Sequence, residues 1–116
     1  MSSCLFCRIV SGEIPGKIAY TDDDVVAFHD IAPQAPVHVL VVPRQHVRTF
    51  ADMTPDGPAP SVAALMAGVR RAAEHLELGE SDGYRVVVNC GERASQSVFH
   101  VHAHVLAGRP FNWPPG

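Results

Sequence analysis

Polar and apolar residues alternate most regularly late in the chain, in Ser97-Val98-Phe99-His100-Val101-His102-Ala103-His104-Val105-Leu106. Successive side chains of a β-strand point to opposite faces. A strand here sets His100, His102 and His104 on one face and Val101, Ala103 and Val105 on the other. The imidazoles then stand roughly 6–7 Å apart along the strand. Burial of the apolar face fixes the register, and with it where the histidines point. A helix would scatter the three over about 200°. The pattern also predicts short strands over 17–20, 25–29 and 84–89, the first two joined by Thr21-Asp22-Asp23-Asp24, a solvated turn. Val37-His38-Val39-Leu40-Val41-Val42-Pro43 is the most β-prone run and predicts a central strand. Only one stretch has a long helical period. Ser61 can cap it, Val62, Leu65, Met66, Val69, Ala73 and Leu76 share one face, and Gly79 closes it. Arg70, Arg71, Glu74 and Glu77 fall on or beside the other face. Pro15, with Gly12 and Gly16, breaks any helix begun near Cys4. Residues 52–60 and 90–96 are loops, and Gly108 ends the histidine strand.

The pattern shows no repeat and no second unit, so residues 1–116 read as one domain, with an N-terminal segment 1–16 and a proline-rich tail 109–116. Net charge is −3, which offers no basic footprint for a nucleic-acid polymer, although a small phosphate-bearing ligand stays open. No apolar run approaches the ~20 residues of a membrane span. Arg8 interrupts the apolar residues near the N-terminus, so no secretory signal is expected. Three cysteines without such a signal suit a reducing compartment, the cytoplasm, with metal binding or thiols rather than a disulfide framework.

Four features carry candidate chemistry. Cys4-Leu5-Phe6-Cys7 has the spacing for two thiolates on one zinc ion, and it equally suits a redox dithiol or no function. Asp30 follows an apolar strand; its carboxylate can cap the next turn or accept hydrogen bonds from a sugar diol. His38 in a core strand is either a hydrogen-bonded structural residue or part of a site with the other three histidines. The histidine strand suits phosphoryl or nucleotidyl transfer. Imidazole can serve as nucleophile, as acid and as donor to the equatorial oxygens near neutral pH. Gln96, Ser97 and Asn89 add neutral hydrogen-bonding groups. The chain contains no H-E-x-x-H, no Walker loop and no G-x-G-x-x-G. His-x-His can also chelate zinc, so a water-activating metal on the histidines is a competing use.

His-Val-His-Ala-His-Val followed by Leu106 and Ala107 resembles the histidine-triad signature. The likeness extends through Glu13-Ile14-Pro15, Ala27-Phe28-His29-Asp30-Ile31, Pro33-Gln34-Ala35-Pro36, Val87-Val88-Asn89, Gln96-Ser97-Val98 and Trp113-Pro114-Pro115-Gly116, which are similar to the histidine-triad nucleotide-binding (Hint) branch. The resemblance implies an α+β fold: about five antiparallel strands, one main helix and a short N-terminal helix. It implies a homodimer, and hydrolysis of the P–N bond of purine nucleoside 5′-phosphoramidates, adenosine preferred, to the monophosphate and an amine. His102 would be the nucleophile and form a nucleotidyl-histidine. His104 would contact phosphate or the leaving group, Ser97 would assist the leaving group, and His38 would orient His102. His100 completes the catalytic set. Asp30 would hold the ribose, with Phe28, Ile31, Leu40 and Val98 around the nucleoside. Asn89 and Gln96 would lie near phosphate or ribose, and Trp113 would reach the partner's site.

Many bacterial members of this kind carry a cysteine pair and structural zinc, with ligands corresponding to Cys4, Cys7, His46 and His100. On this reading zinc is structural and catalysis requires no cofactor. The loop Gly91-Glu92-Arg93-Ala94-Ser95 departs from the glycine-rich loop of the animal proteins, which leaves leaving-group preference open. The alternative function is a module that binds AMP-like purine nucleotides as a regulatory or interaction protein, with slow incidental hydrolysis.

Overall fold

Val37–Pro43 lies at the middle of a five-stranded antiparallel sheet in this computed structural model, which describes residues 3–116. The elements are α1 (Leu5–Val10), β1 (Ile18–Thr21), β2 (Val25–His29), β3 (Val37–Pro43), α2 (Val62–His75), β4 (Tyr84–Val87) and β5 (Ala103–Ala107). The strand order is β1-β2-β3-β5-β4. The expected α+β architecture, with one main helix and a short N-terminal one, is therefore present. Apart from His38, β3 is apolar because both of its faces are covered, as a central strand requires. Val39 faces Val105 and Leu40 faces His104 across the β3–β5 ladder, so the two alternations stay in phase.

That phase divides the interior into two clusters. Val25, Ala27, Val39, Val41, Val101, Ala103 and Val105 pack with Leu65, Val69 and Ala72 of α2. Val26, Phe28, Leu40 and Val42 point the other way and pack with Phe6 of α1. The histidines emerge on this second side: Phe6 meets the rings of His100 and His102 edge-on, at 6.1 and 5.1 Å between centroids.

Three elements have other bounds than expected. The histidine strand pairs only over Ala103–Ala107, because the partner ladder ends at Val41 opposite Ala103. Residues 100–102 keep the alternation but bond to the segment after β3: Val101 N–H donates to Val47 O at 2.7 Å. β4 likewise stops at Val87, opposite His104, and does not reach Asn89. α2 begins as predicted, with the Ser61 hydroxyl accepting from Ala64 N–H at 3.0 Å, but it ends before Gly79. Glu77, at φ +59°, takes the left-handed position. Leu78 N–H donates to Ala73 O and Glu77 N–H to Glu74 O, each at 2.9 Å, the Schellman pattern that closes a helix. The helix face also includes Gly68 and Ala72. A Cβ on Gly68 would lie 2.5 Å from Val25 Cγ1, so glycine lets α2 seat on β2.

The aspartate turn is only partly solvated. Asp22 accepts from Tyr20 Oη and Arg71 Nε, each at 2.7 Å, and from the N–H groups of Asp24 and Val25. It fastens the β1–β2 turn to α2. Burial alone would raise the Asp22 pKa, but the bonds from Arg71, Tyr20 and the turn outweigh it and hold the carboxyl well below its usual range.

Candidate active site and an adjoining cysteine–histidine cluster

Partners assign the protons of four histidines, because a carbonyl only accepts and a backbone N–H only donates. His100 Nε2 lies 2.8 Å from Pro43 O, so Nε2 carries the proton and Nδ1 is bare. His102 Nδ1 lies 2.9 Å from His100 O, so Nδ1 carries the proton and Nε2 is bare. His38 Nδ1 accepts from Gln34 N–H at 3.0 Å, which places its proton on Nε2. His38 Nε2–H donates to His104 Nδ1 at 2.9 Å, and the remaining proton of His104 therefore sits on Nε2. His102 thus offers a lone pair and His104 a donor, with ring centroids 5.0 Å apart. Burial lowers the pKa of His38, His100 and His102, against smaller opposing effects from neighbouring carbonyls or Asp30. Burial, then the neighbouring His102 and His38, pushes His104 down to about 4. These shifts favour neutral rings at pH 7.

His102 and His104 face a cavity of about 500 Å³, within the range of small-molecule sites. Of the residues singled out in the sequence, Phe28, Asp30, Ile31, Leu40, Ser97 and Val98 also line it. Asp30 Oδ1 accepts from Ala32 N–H at 2.8 Å, so this carboxylate both caps the turn and faces the cavity. His38 lies behind His104 and supports it; the expected support of His102 comes instead from the His100 carbonyl. Three of the chosen residues line other parts of the surface or interior. Gln96 is buried, with its amide bonded to Gly91 N, Arg48 O and Val98 O. Asn89 is outside the cavity lining, and Trp113 is 81% exposed, near Arg85. Part of the lining is not evident from the sequence: Leu5, Phe6 and Ile9 of α1 form it with Ile14 and Lys17. Its signal was the apolar spacing of Leu5, Phe6, Ile9 and Val10 around the cysteine pair.

On the other side of His100 lies a second constellation. Cys4 Sγ is 3.4 Å and Cys7 Sγ 3.5 Å from the bare His100 Nδ1, and Cys7 Sγ is 3.5 Å from His46 Nδ1. All four candidate ligand atoms lie within 4.8 Å of one another. A tetrahedral zinc with Zn–S near 2.3 Å and Zn–N near 2.0 Å sets sulfur and nitrogen about 3.5 Å apart. The donor set and spacing therefore fit zinc, and the Pro43 carbonyl orients His100 as an outer-shell partner does. Asp30, His38 and His104 also bring ligand atoms together. They do not fit a metal, because the Gln34 bond leaves His38 Nε2 protonated.

A family model described as HIT domain matches residues 11–111. The chain belongs to the HIT family. The cysteine pair precedes the matched HIT segment. The chain is 38% identical over 131 residues to a 14 kDa zinc-binding protein of Zea mays, covering 99% of this chain and 89% of the relative. Among solved structures it is similar to a HIT family hydrolase from Legionella pneumophila, with a TM-score of 0.88 and 40% identity over 98% of this chain and 100% of that one. It is also similar to a histidine triad nucleotide-binding protein from Candida albicans, with a TM-score of 0.77 and 31% identity over 97% and 83% of the two chains.

Proposed function

We propose that this HIT protein belongs to the Hint branch and hydrolyses the P–N bond of purine nucleoside 5′-phosphoramidates, adenosine preferred. The observation that carries the reading is the bare Nε2 of His102 in a cavity that the neighbouring ring of His104, protonated on Nε2, and Ser97 also line. The Legionella hydrolase and the Candida nucleotide-binding protein support hydrolysis and a nucleotide substrate. The P–N bond and the Hint branch rest on the sequence resemblance, above all Gln96-Ser97 and the Trp113-Pro114-Pro115 tail.

The nucleoside lies along the apolar wall, with Asp30 accepting from the ribose hydroxyls. His102 Nε2 forms a bond to phosphorus as the P–N bond breaks. His104 Nε2–H steadies the charge on a phosphoryl oxygen, and His38 holds that tautomer. The leaving nitrogen takes up a proton that solvent supplies and the Ser97 hydroxyl relays, and departs as the amine. Water then attacks phosphorus and gives up a proton to solvent, the P–Nε2 bond breaks with its electron pair returning to His102, and the nucleoside monophosphate leaves. Neutral His102 is the reactive form, which its burial favours.

Cys4, Cys7, His46 and His100 would hold zinc in a closed four-ligand site, where it ties the N-terminal segment to residue 100. The Zea mays relative supports that assignment. A homodimer through β4 is part of the same reading: β4 is an edge strand, Val86 is 39% exposed, and exposed Trp113 lies beside Arg85 of β4. A cytoplasmic location suits a thiol pair turned towards imidazoles.

AMP release from an adenosine 5′-phosphoramidate, for wild type and His102→Ala with and without chelator, tests the reading. Loss in the variant with little direct effect of chelator on the chemical step supports it. Activity abolished by chelator in an intact fold would instead favour a catalytic metal. AMP binding without hydrolysis in the wild type would favour the binding module.

A further inference from the structure

The two constellations share one short helix, α1. Cys4 and Cys7 flank Leu5 and Phe6, and Leu5, Phe6 and Ile9 line the same cavity as His102 and His104. α1 has six residues, too short to persist as an isolated helix. Its position is set by what grips it. Cys4 Sγ accepts from Cys7 N–H at 3.4 Å and so caps the helix. Both sulfurs then reach His100, and Cys7 also reaches His46, far along the chain. Phe6 is 4% exposed and meets Phe28, His102 and His100 edge-on. Residue 100 also serves both sites: its Nδ1 faces the sulfurs, while its carbonyl fixes the ring of His102.

We infer that the cysteine–histidine cluster and the nucleotide cavity are thermodynamically coupled through α1 and residue 100, so that filling either one strengthens the other. This rests on the reading of the cavity as a nucleotide site. The cluster orders the cavity wall before the nucleotide arrives, and a nucleotide packed on Leu5 and Phe6 holds Cys4 and Cys7 where the cluster needs them. Coupling of this kind is reciprocal: the factor by which zinc tightens AMP equals the factor by which AMP tightens zinc.

Calorimetry on the full-length protein, with AMP and zinc as probes, measures both sides. AMP affinity is expected to fall about tenfold when zinc is stripped, and zinc affinity to rise by the same factor at saturating AMP. His46→Ala, which removes one exposed ligand and leaves the cavity lining intact, should weaken AMP to a similar degree. Hydrogen exchange supplies an independent readout: added zinc should protect residues 5–10 while the exchange of β3 stays constant. AMP bound equally by the loaded and stripped forms would overturn the coupling and leave the nucleotide reading standing. No AMP binding by the zinc-loaded protein would overturn the nucleotide reading, and the coupling to a nucleotide with it. Unchanged exchange at residues 5–10 on zinc binding would remove the proposed carrier, whatever AMP does.

Discussion

The two faces of the sheet are made by the same strands and do opposite things. Facing α2, the alternate residues of β2, β3 and the histidine stretch are aliphatic: Val25, Ala27, Val39, Val41, Val101, Ala103 and Val105. Facing α1, the intervening residues turn polar where the cavity begins: His38, His102 and His104 are set among Phe28 and Leu40. A helix of fourteen residues with a capped start covers the first face, and a helix of six residues covers the second. Packing makes the first face the rigid support, and that rigidity sets the angle at which the histidines leave the second. A site held within fractions of an ångström needs such a support, whereas a ligand needs a wall that can admit it.

The sharpest way to break the comparison is a pair of substitutions, one on each face. His102→Ala should lower phosphoramidate hydrolysis by at least about a thousandfold and leave the melting temperature nearly unchanged. Steady-state kinetics with a thermal melt would check it, and substantial residual turnover would remove His102 from the nucleophile role. Leu65→Ala, at a residue 1% exposed under β3 and β5, should do the reverse. It should cost about 3 kcal/mol of stability and leave turnover per folded molecule unchanged, as urea unfolding and active-site titration would show.

Acid sharpens the difference, because only the second face holds buried imidazoles. His104 is pushed down to about 4, and burial lowers His38 as well. Between the ordinary histidine pKa near 6.5 and these lowered values, the unfolded chain binds protons that the folded one refuses, so stability falls as pH falls. Urea midpoints with chelator present throughout should decline from pH 7 to pH 4.5. A flat profile would mean that the rings titrate normally. The smallest effect is expected where the first face meets solvent. Asp22→Asn weakens the tie to Arg71 and Tyr20 and should cost about 1 kcal/mol with unchanged turnover, measured by the same two methods.

Much of this arrangement was legible in the chain. Strands over 25–29 and 37–43 and the Ser61 cap follow from local pattern, and the structure has them at those residues. The opposed faces of Val101-His102-Ala103-His104-Val105 were legible because side-chain direction alternates along extended backbone whether or not a ladder forms. The end of α2 was not, since glycine is only the cheapest residue for a left-handed turn and Glu77 takes it here. The short N-terminal helix was expected, but six residues carry too short a period to fix which way Leu5, Phe6 and Ile9 face, so their place in the cavity lining was not legible.

Sequence by itself determined which residues could share a face, since that depends on backbone geometry alone. Tertiary structure decided which of them meet. Pairing Leu40 with His104 brings His38 against His104 rather than His102, and the bend after Pro43 carries His46 and the His100 ring towards the two cysteines. The protonation pattern was decided there as well. An imidazole places its proton according to the partners of its two nitrogens, and those partners are Gln34, Pro43 and His100 backbone groups that only the folded chain brings within reach.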